Sequence, residues 1–583
     1  MINIKEDEKL SVLNHSCAHL LAHAVKNLYP NAMFWVGPVI EEGFYYDIDL
    51  GDNVIKEEDL ASIEKEMKKI VKSDKLIKRI ELTKEAALET FKEDIYKLDL
   101  INNLEDNLIT AYKQDNFIDL CRGPHVNTTK MLKNFKLLKV SGAYYKADSN
   151  NKMLQRIYGV CFETSEELEK HLQELEELKK RDHRKLGKDL KLYTIIPEAG
   201  QGLVFWLPNG MKLRKKIEDY VYNIQKEDGY QFVSTPVIGS RWLYETSGHW
   251  EHYKEDMFPV MTSEDNEELV LRPMSCPHHC LIYKSELRSY KDLPIRYSEN
   301  VLQHRWEASG GLTGLERVRA MNLTDAHLFV REDQLKQEVA KAYALVSKAI
   351  NDMGITIDYV ELALHDKEDK HKYHGDEKLW EKAENVVRGT LNELGIEYKE
   401  MVGEAAFYGP KIDVQVKTIS GKVITFATIQ LDFLLPERFD LTYIDTSGEK
   451  ARPVMIHRGL ISTFERLISI LLEQYAGALP LWLAPTGINI IPVNNTYHLE
   501  YAKEIKDILT KAGLDVELDD REEKLGYKMR ESQMKKIPFN VILGDEEKNN
   551  NKISYRTYSS NETSTATIDE FVDLLQDIIK NKK

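Results

Sequence analysis

The chain has 583 residues, 42% of them hydrophobic and 30% charged, with 96 Asp and Glu against 80 Lys and Arg for a formal charge of −16. That length predicts about three to five domains of roughly 100 to 200 residues, each able to bury a core, and excludes global disorder. The acidic balance excludes indiscriminate nucleic-acid binding but leaves room for a basic groove on an acidic body.

In chain order, the start MINIKEDEKL carries no apolar export signal. LNHSCAHLLAHAVKNLYP has apolar residues at helical spacing, which places His15 and His19 on one face of a helix. Cys121 and His125 repeat the i, i+4 spacing, but Gly123 and Pro124 make DLCRGPH a strand end or tight turn. Three readings stay open for these four: satisfied core groups, a zinc site, or a metal-free proton-transfer pocket. From Thr164 to Leu186 the residues read as one charged helix with a Leu168, Leu172, Leu175 stripe, stopping at Gly187. Its end is basic, with seven Lys or Arg and two Asp in 179–191, a solvated helix end or an RNA-backbone contact.

Farther on, Cys276, His327 and His457 are metal-type side chains too dispersed to signal a site by spacing. The apolar region near 454–491 is broken by charges, so no window reaches the roughly 18 uncharged apolar residues of a membrane span. A Pro-Thr-Gly turn at 485–487 precedes the strand INIIPV and an alternating strand and helix pattern. A second basic run, 524–536, sets five Lys or Arg against one Glu, and EEKNNNK at 546–552 reads as a loop. The expected blocks are 1–187, 188–487 and 488–583. The five cysteines (17, 121, 161, 276 and 280) form no regular framework, which fits a reducing cytoplasm.

Longer motifs carry a resemblance. HSCAHLLAHAVKNLYP, GFYYDIDL and DLCRGPHV resemble the second editing domain of bacterial threonyl-tRNA synthetases, which hydrolyses serine misattached to threonine tRNA. The resemblance implies an editing pocket of His15, His19, Cys121 and His125 with Lys97, Tyr46 and Asp119 beside it. An ester of a hydroxyl amino acid needs a positioned water, a proton acceptor and donors for the oxyanion, and His and Lys suit those roles. LRPMSCPHH, HRWEASGGLTGLERVR, FYGPKIDV, TIQLDFLLPERFDLTYI and IHRGLISTFERLISILLEQYAGALPLWLAP extend the resemblance over nearly the whole chain. The small ubiquitin-like N-terminal domain common in that family is expected to be missing.

The family is class II, which implies an α+β multidomain fold: an antiparallel catalytic sheet flanked by helices, an N-terminal α+β editing domain and a C-terminal α/β anticodon-binding domain. Residues 207–238 resemble motif 1 and imply a homodimer. In the motif 2 stretch the resemblance implies Arg305 on the α-phosphate and carboxylate region, Glu307 on adenine and Arg317 on the terminal phosphates of ATP. Arg466 of motif 3 is expected over the triphosphate, accompanied by Mg2+; guanidinium offers a rigid fork of donors that stays charged. One Zn2+ per subunit on Cys276, His327 and His457 would leave open positions for the amino and hydroxyl groups of L-threonine. Valine, lacking the hydroxyl, is then rejected by about 10⁴-fold or more, whereas serine differs by one methyl, worth about 1 to 3 kcal/mol, and has to be edited. Asp325 and Tyr408 are expected on the amino acid, Lys411 and Gln430 on the adenylate, and His249 near the tRNA ribose. Lys524, Arg530, Glu547 and Arg556 are expected on anticodon bases, whose exposed edges suit Arg and Glu.

Departures from the family pattern cluster at the nucleotide end: Met321 for an adenine-stacking Phe, Leu323 for Gln, Thr425 for Gln and Ser462 for Gly, with Ser275 and His278 in PMSCPHH where PMNCPGH is usual. Glu522 stands where Asn is frequent. These fit compensated drift, with a thioether replacing a ring, or a repacked site in an inhibitor-tolerant second synthetase. The further alternative is a deacylase or RNA-binding regulator with a decayed core, against which Cys276, His327, His457, Arg305 and Arg466 all stand.

Overall fold

The computed structural model describes residues 2–105, 108–148, 150–373, 377–558 and 560–582. The chain forms two compact units, Met1–Glu177 and Leu178–Lys583. No described helix is long and apolar enough to cross a membrane.

In the first unit, helix α1 (Glu8–Leu28) starts where the Asp7 carboxylate accepts the Lys9 and Leu10 amides. Its apolar face (Leu13, Cys17, Leu20, Leu21, Ala24) packs with β1 (Gly43–Asp49) and α2 (Leu60–Lys72). A three-stranded antiparallel sheet follows, β2 (Ile77–Thr83), β3 (Leu108–Gln114) and β4 (Phe117–Leu120), with α3 (Ile95–Asn102) between β2 and β3. β5 (Asn134–Tyr144) and β6 (Met153–Phe162) then join β1 in the larger sheet.

The charged stretch after β6 differs from the single helix its composition predicts. It breaks into α4 (Ser165–Arg181) and α5 (His183–Asp189) at Asp182, whose carboxylate accepts the Arg184 amide and caps the second helix. Gly187 lies inside α5 rather than ending it, and Leu186 is buried in the core of the second unit.

That unit is built on an eight-stranded sheet. In spatial order it runs β7 (Gln231–Phe232), β8 (Ile295–His304), β9 (Ala320–Val330), β14 (Val454–Thr463), β13 (Val423–Asp432), β12 (Lys411–Lys417), β10 (Ile357–Leu364) and β11 (Tyr398–Val402). The pairings are antiparallel except at the two edges, β7 with β8 and β10 with β11. Strand alternation sorts the faces. Leu328, Val330 and Ile456 point into a core shared with α6 (Pro208–Glu227), α9 (Leu335–Asp352) and α10 (Phe464–Gln474). Phe329 and Met455 point the other way, toward Cys280 and Tyr283 of α8 (Cys276–Lys284), which follows the short α7 (His249–Tyr253).

The C-terminal layer has the order β16 (Val516–Leu518), β15 (Ile488–Pro492), β17 (Phe539–Leu543), β18 (Lys552–Thr557) and β19 (Ser564–Thr567), parallel in its first three strands and antiparallel in its last two. Helices α11 (Asn495–Lys511), α12 (Leu525–Met534), α13 (Asp545–Asn550) and α14 (Ile568–Lys580) connect and follow the strands. The loop expected at 546–552 is largely α13. Glu547 accepts the Gly544 amide at 2.8 Å, and Asn551 ends the turn in the left-handed region at φ 52°.

Gly210, in the first turn of α6, shows how tightly that helix is seated. A β-carbon there would lie 1.9 Å from the Leu192 carbonyl oxygen, a backbone atom with no freedom to retreat. Helix propensity favours alanine by about 1 kcal/mol, but a steric overlap with backbone costs more, so Gly210→Ala is expected to lose about 1 to 3 kcal/mol in urea unfolding.

Candidate active sites

In the first unit, α1 and the turn after β4 bring His15, His19, Cys121 and His125 together, with donor atoms all within 4.8 Å of one another. Cys121 Sγ lies 3.3 Å from His15 Nε2 and 3.2 Å from His125 Nε2, and the Gly123 amide donates to it. The spacing did not reveal Ser16. Its hydroxyl donates to the Val12 carbonyl and accepts the Val126 amide, so the contact with His125 Nδ1 at 3.0 Å makes that nitrogen the N–H donor. His125 therefore turns its unprotonated Nε2 toward the cluster. Its only sequence signal is one helical step beside His15.

Behind the cluster sits a buried charge pair. Lys97 Nζ, on α3, lies 2.6 Å from Asp119 Oδ1, and the Tyr46 hydroxyl donates to Oδ2 at 2.5 Å. Lys97 also donates to the Trp35 carbonyl and the Tyr46 oxygen, while His19 Nδ1 is 3.3 Å from Asp119. Burial alone would raise the Asp119 carboxyl, but Lys97 and His19 hold it down at about 2. Burial lowers His19 to about 4 and His125 to about 2, and raises the Cys121 thiol to about 11. The cluster thus presents neutral imidazoles and a neutral thiol at pH 7, beside an ammonium held in place by its carboxylate.

In the second unit a cavity of about 630 Å3 opens on the sheet face opposite α6, α9 and α10. It is lined by every residue predicted for the central site except His249. Strand register sets the row: His327 on β9 is opposite His457 on β14, which is opposite Gln430 on β13, which is opposite Lys411 on β12. Cys276 enters from the first turn of α8 and completes a buried set of one thiol and two imidazoles within 4.8 Å of one another.

The donor set fits zinc. His327 Nδ1 contacts His279 Nδ1 at 2.8 Å and His279 Nε2 contacts Glu299 at 3.2 Å, while His457 Nε2 contacts Asp432 at 2.8 Å. One nitrogen of each ligand ring is thereby fixed by an outer partner and the other is left as a donor. His279 was missed from the sequence, though its place three residues after Cys276 on a helix was a usable signal. His249 is fully buried with Nδ1 on Ser247 Oγ and Nε2 3.6 Å from Cys276 Sγ, and burial lowers it to about 3.

At the other end of the cavity the strands β8 and β9 carry the 305–319 loop. Arg305, Arg317 and Arg466 gather there; burial and the two neighbouring guanidiniums lower Arg466. Arg317 pairs with Glu307 at 2.7 Å, Arg466 Nε donates to the Glu316 carbonyl, and among the described residues the buried Arg305 Nε has no hydrogen-bond partner. Three converging guanidiniums with an unsatisfied donor have the chemistry to hold an anion. Asp325 accepts from Ser275 and Gln303, Tyr408 donates to Gln430, and Lys411 donates to Asp413 at 2.6 Å. Among the departures, Met321 and Leu323 line this end, Thr425 donates to Gln415, and Ser462 occupies the left-handed region at φ 61° in a bulge between β9 and β14, with Oγ 3.5 Å from Arg466 Nη1.

His183 of α5 holds this loop from behind. The Leu315 amide donates to His183 Nε2 at 3.1 Å, and Nδ1 lies 2.7 Å from Glu473 at the end of α10, so Nδ1 carries the proton. A β-carbon at Gly314, where φ is 46°, would lie 2.2 Å from that Nε2. Sequence gave no sign of this clamp, since 183, 315 and 473 are far apart in the chain. In the C-terminal layer Lys524 and Arg530 are exposed at the start and middle of α12, Glu547 also accepts the Ser554 hydroxyl, and Arg556 on β18 donates to Thr563.

Comparison with known proteins agrees with this arrangement. Residues 258–475 match the tRNA synthetase class II core domain (G, H, P, S and T), 488–578 the anticodon binding domain, and 109–158 the threonyl and alanyl tRNA synthetase second additional domain. A solved RNA binding domain of threonyl-tRNA synthetase from Cryptosporidium parvum superposes with TM-score 0.65 at 35% identity, covering 68% of this chain and 98% of its own. A putative threonyl-tRNA synthetase from Aeropyrum pernix does so with TM-score 0.59 at 25% identity, covering 69% and 96%. The fold and cavity are those of a class II aminoacyl-tRNA synthetase. The threonine–tRNA ligase of Oceanobacillus iheyensis is 52% identical over 100% of this chain and 90% of its own length, and that of Staphylococcus aureus 52% identical over 99% and 90%. The chain belongs to the threonine–tRNA ligase family.

Two outcomes test these assignments. Lys97→Met takes the ammonium away from the buried Asp119 carboxylate, leaving Tyr46 and His19 against it, and is expected to cost about 3 to 5 kcal/mol in chemical unfolding. Because the Asp119 carboxyl is depressed, the stability it contributes is present above its ordinary value of 3.8 and is lost as pH falls through about 2. His183→Ala strands the buried Leu315 amide without an acceptor, costing about 1 to 3 kcal/mol. In hydrogen exchange the loop amide at 315 is expected to lose protection before the sheet does.

Proposed function

We propose that this chain uses ATP to attach L-threonine to threonine tRNA, the threonine carboxylate displacing pyrophosphate to form threonyl-adenylate and the tRNA ribose then displacing AMP, and that it hydrolyses seryl-tRNA formed in error. The observation that carries the reading is one cavity with a thiol and two imidazoles at one end and three arginines at the other, spanned by Gln430 and Lys411. We assign Cys276, His327 and His457 to Zn2+, which when bound supplies a Lewis acid able to accept the amino and hydroxyl groups of threonine. The residues do the rest. Asp325 and Tyr408 help to hold the amino acid, and Arg305 offers its Nε–H to the carboxylate and α-phosphate. Arg317 and Arg466 hold the outer phosphates with Mg2+, and Lys411 and Gln430 steady the adenylate. Burial keeps His249 neutral beside the thiol, and we assign it to assisting transfer to the tRNA ribose.

In the first unit His125 Nε2 is the proton acceptor for water, and Lys97, held by Asp119, the nearest cation for a developing oxyanion. Tyr46 and His19 fix that pair. Lys524, Arg530, Glu547 and Arg556 are assigned to the anticodon. The functional blocks are 1–187, 188–487 and 488–583, and the start of β15 at Ile488 supports the second boundary. Exposed Phe205, Met211, Tyr222, Ile238 and Trp242 along the 205–242 segment support a homodimer. The five unpaired thiols support a cytoplasmic setting.

The test is threonine-dependent ATP–pyrophosphate exchange and charging of threonine tRNA, with metal analysis. Parent protein is expected to hold one zinc per chain; Cys276→Ser loses it together with about 100-fold or more of exchange, whereas Cys121→Ser keeps it. His125→Ala should charge threonine normally but accumulate seryl-tRNA, and Arg556→Ala should weaken charging with exchange intact. Full exchange in zinc-free protein, or equal loss of charging and exchange in Arg556→Ala, sinks the corresponding assignment.

A further inference from the structure

The two basic runs of the sequence meet in space. They converge on a second cavity, of about 550 Å3, in the Leu178–Lys583 body, and it shares no lining residue with the cavity that holds Cys276 and Arg466. Its apolar surface comes from Leu190 and Leu192 after α5, Leu479 and Pro485 after α10, and Leu518 and Ile537 of the C-terminal layer. Five lysines line it, Lys191, Lys212, Lys506, Lys535 and Lys536, with two acidic residues, Asp189 and Glu517. Lys535 is paired with Glu517 at 2.7 Å. Among the described residues the other four have no carboxylate within ion-pair distance, and Lys536 lies 5.7 Å from the centroid of the Tyr558 ring. In a chain of charge −16 this is a local excess of positive charge over an apolar floor.

Backbone strain marks two of these lysines. Lys191 has φ 53° and Lys536 φ 55°, each in the position just past a helix C-cap, Leu190 after α5 and Lys535 after α12. Glycine is the default there because a β-carbon crowds the carbonyl in the left-handed region. Both positions carry a lysine instead, one on the segment after α5 and one on the C-terminal layer, and both line the same cavity. Backbone strain of this kind collects at ligand clamps. What glycine lacks at these places is the ammonium.

We propose that this cavity binds a small amphipathic anion, an apolar aliphatic or aryl body carrying one or two carboxylate- or sulfonate-type charges. The volume is in the ordinary range for small-molecule sites. The lining contains no aromatic or arginine side chain, so it offers no stacking platform of the kind nucleobases use. Apolar body to Leu190, Leu192 and Ile537, and charge to Lys191 and Lys536, is the pose that uses both features. A ligand held this way ties the segment after α5 to the C-terminal layer.

The probe is 8-anilinonaphthalene-1-sulfonate, followed by fluorescence on full-length protein, with decanoate as competitor. Parent protein is expected to bind one equivalent saturably and to release it to decanoate. Lys191→Gly with Lys536→Gly removes both charges and relieves the backbone, so affinity should fall by about tenfold or more while Tm is no lower than the parent's and threonine-dependent exchange is unchanged. Lys191→Glu with Lys536→Glu should lose affinity at least as far. Unchanged affinity in both double variants, or more than one equivalent bound, overturns the proposal. So does displacement of the probe by duplex RNA together with a matching loss of RNA affinity in the glycine variant, which would give these lysines to a phosphodiester backbone. None of these readings depends on charging activity, so failure here is distinct from failure of the synthetase assignment.

Discussion

Everything chemical in the second unit depends on strand register. His327, His457, Gln430 and Lys411 are brought into one row by three consecutive antiparallel pairings, β9 with β14, β14 with β13 and β13 with β12. A slip of one residue in any of them would turn a polar side chain of that row into the helix-covered core and bring a Leu or Ile into the cavity. The register is secured by what lies on the other face: Leu328, Val330, Ile456, Ile429 and Leu431 are all essentially buried against α6, α9 and α10. The hydrophobic effect, at roughly 25 cal/mol per Å2, acts on those side chains and not on the catalytic ones. It nevertheless positions the site, because the two sets alternate along the same strands.

The two His and Cys clusters contain nearly the same groups and are prepared for different work. In the central one, each ligand histidine has one nitrogen engaged outward, His327 through His279 to Glu299 and His457 to Asp432, which leaves lone pairs converging beside a thiol. In the first unit the outward partners are Ser16 for His125 and Asp119 for His19, and the Asp119 charge is already matched by Lys97. A carboxylate behind the ring strengthens a metal ligand, whereas a carboxylate shared with an ammonium places a cation near a neutral base. Ligand-type residues do not by themselves separate a metal centre from a hydrolytic pocket. The assignments proposed for the two clusters rest on their hydrogen-bonded backing.

That backing is also what the sequence conveyed least. Local patterns carried the α1 helix, the strand ending at Leu120, the start of β15 at Ile488 and the pairing of His15 with His19, because each depends on residues a few positions apart. Longer motif resemblance carried Cys276, His327 and His457, whose proximity comes from the β9–β14 register and from helix α8 and has no spacing signature. Ser16 and His183 were not legible, and His279 only through its place three residues after Cys276. Each acts through a backbone amide or a second ring that only the fold supplies. The single helix read into 164–186 failed for a related reason: periodicity recorded the apolar stripe, but a capping carboxylate at Asp182 decided where the chain turned.

The charge runs carry the same lesson into electrostatics. Read as a sequence, 179–191 and 524–536 are two patches of positive charge available to RNA. In the fold, Arg181 donates to the Glu473 and Gln474 carbonyls, Arg184 pairs with Asp182, and Lys528 is buried with its ammonium on the Asp519 carbonyl. Such groups are held by short contacts inside the protein, and a mobile polyanion would have to break those contacts to recruit them. Among the described residues Lys191 and Lys536 have no carboxylate partner, and both line one cavity. Net charge of −16 with two basic runs therefore describes neither an RNA-coated body nor a uniformly acidic one. It describes local fields whose sign is set by which side chains the fold has already paired.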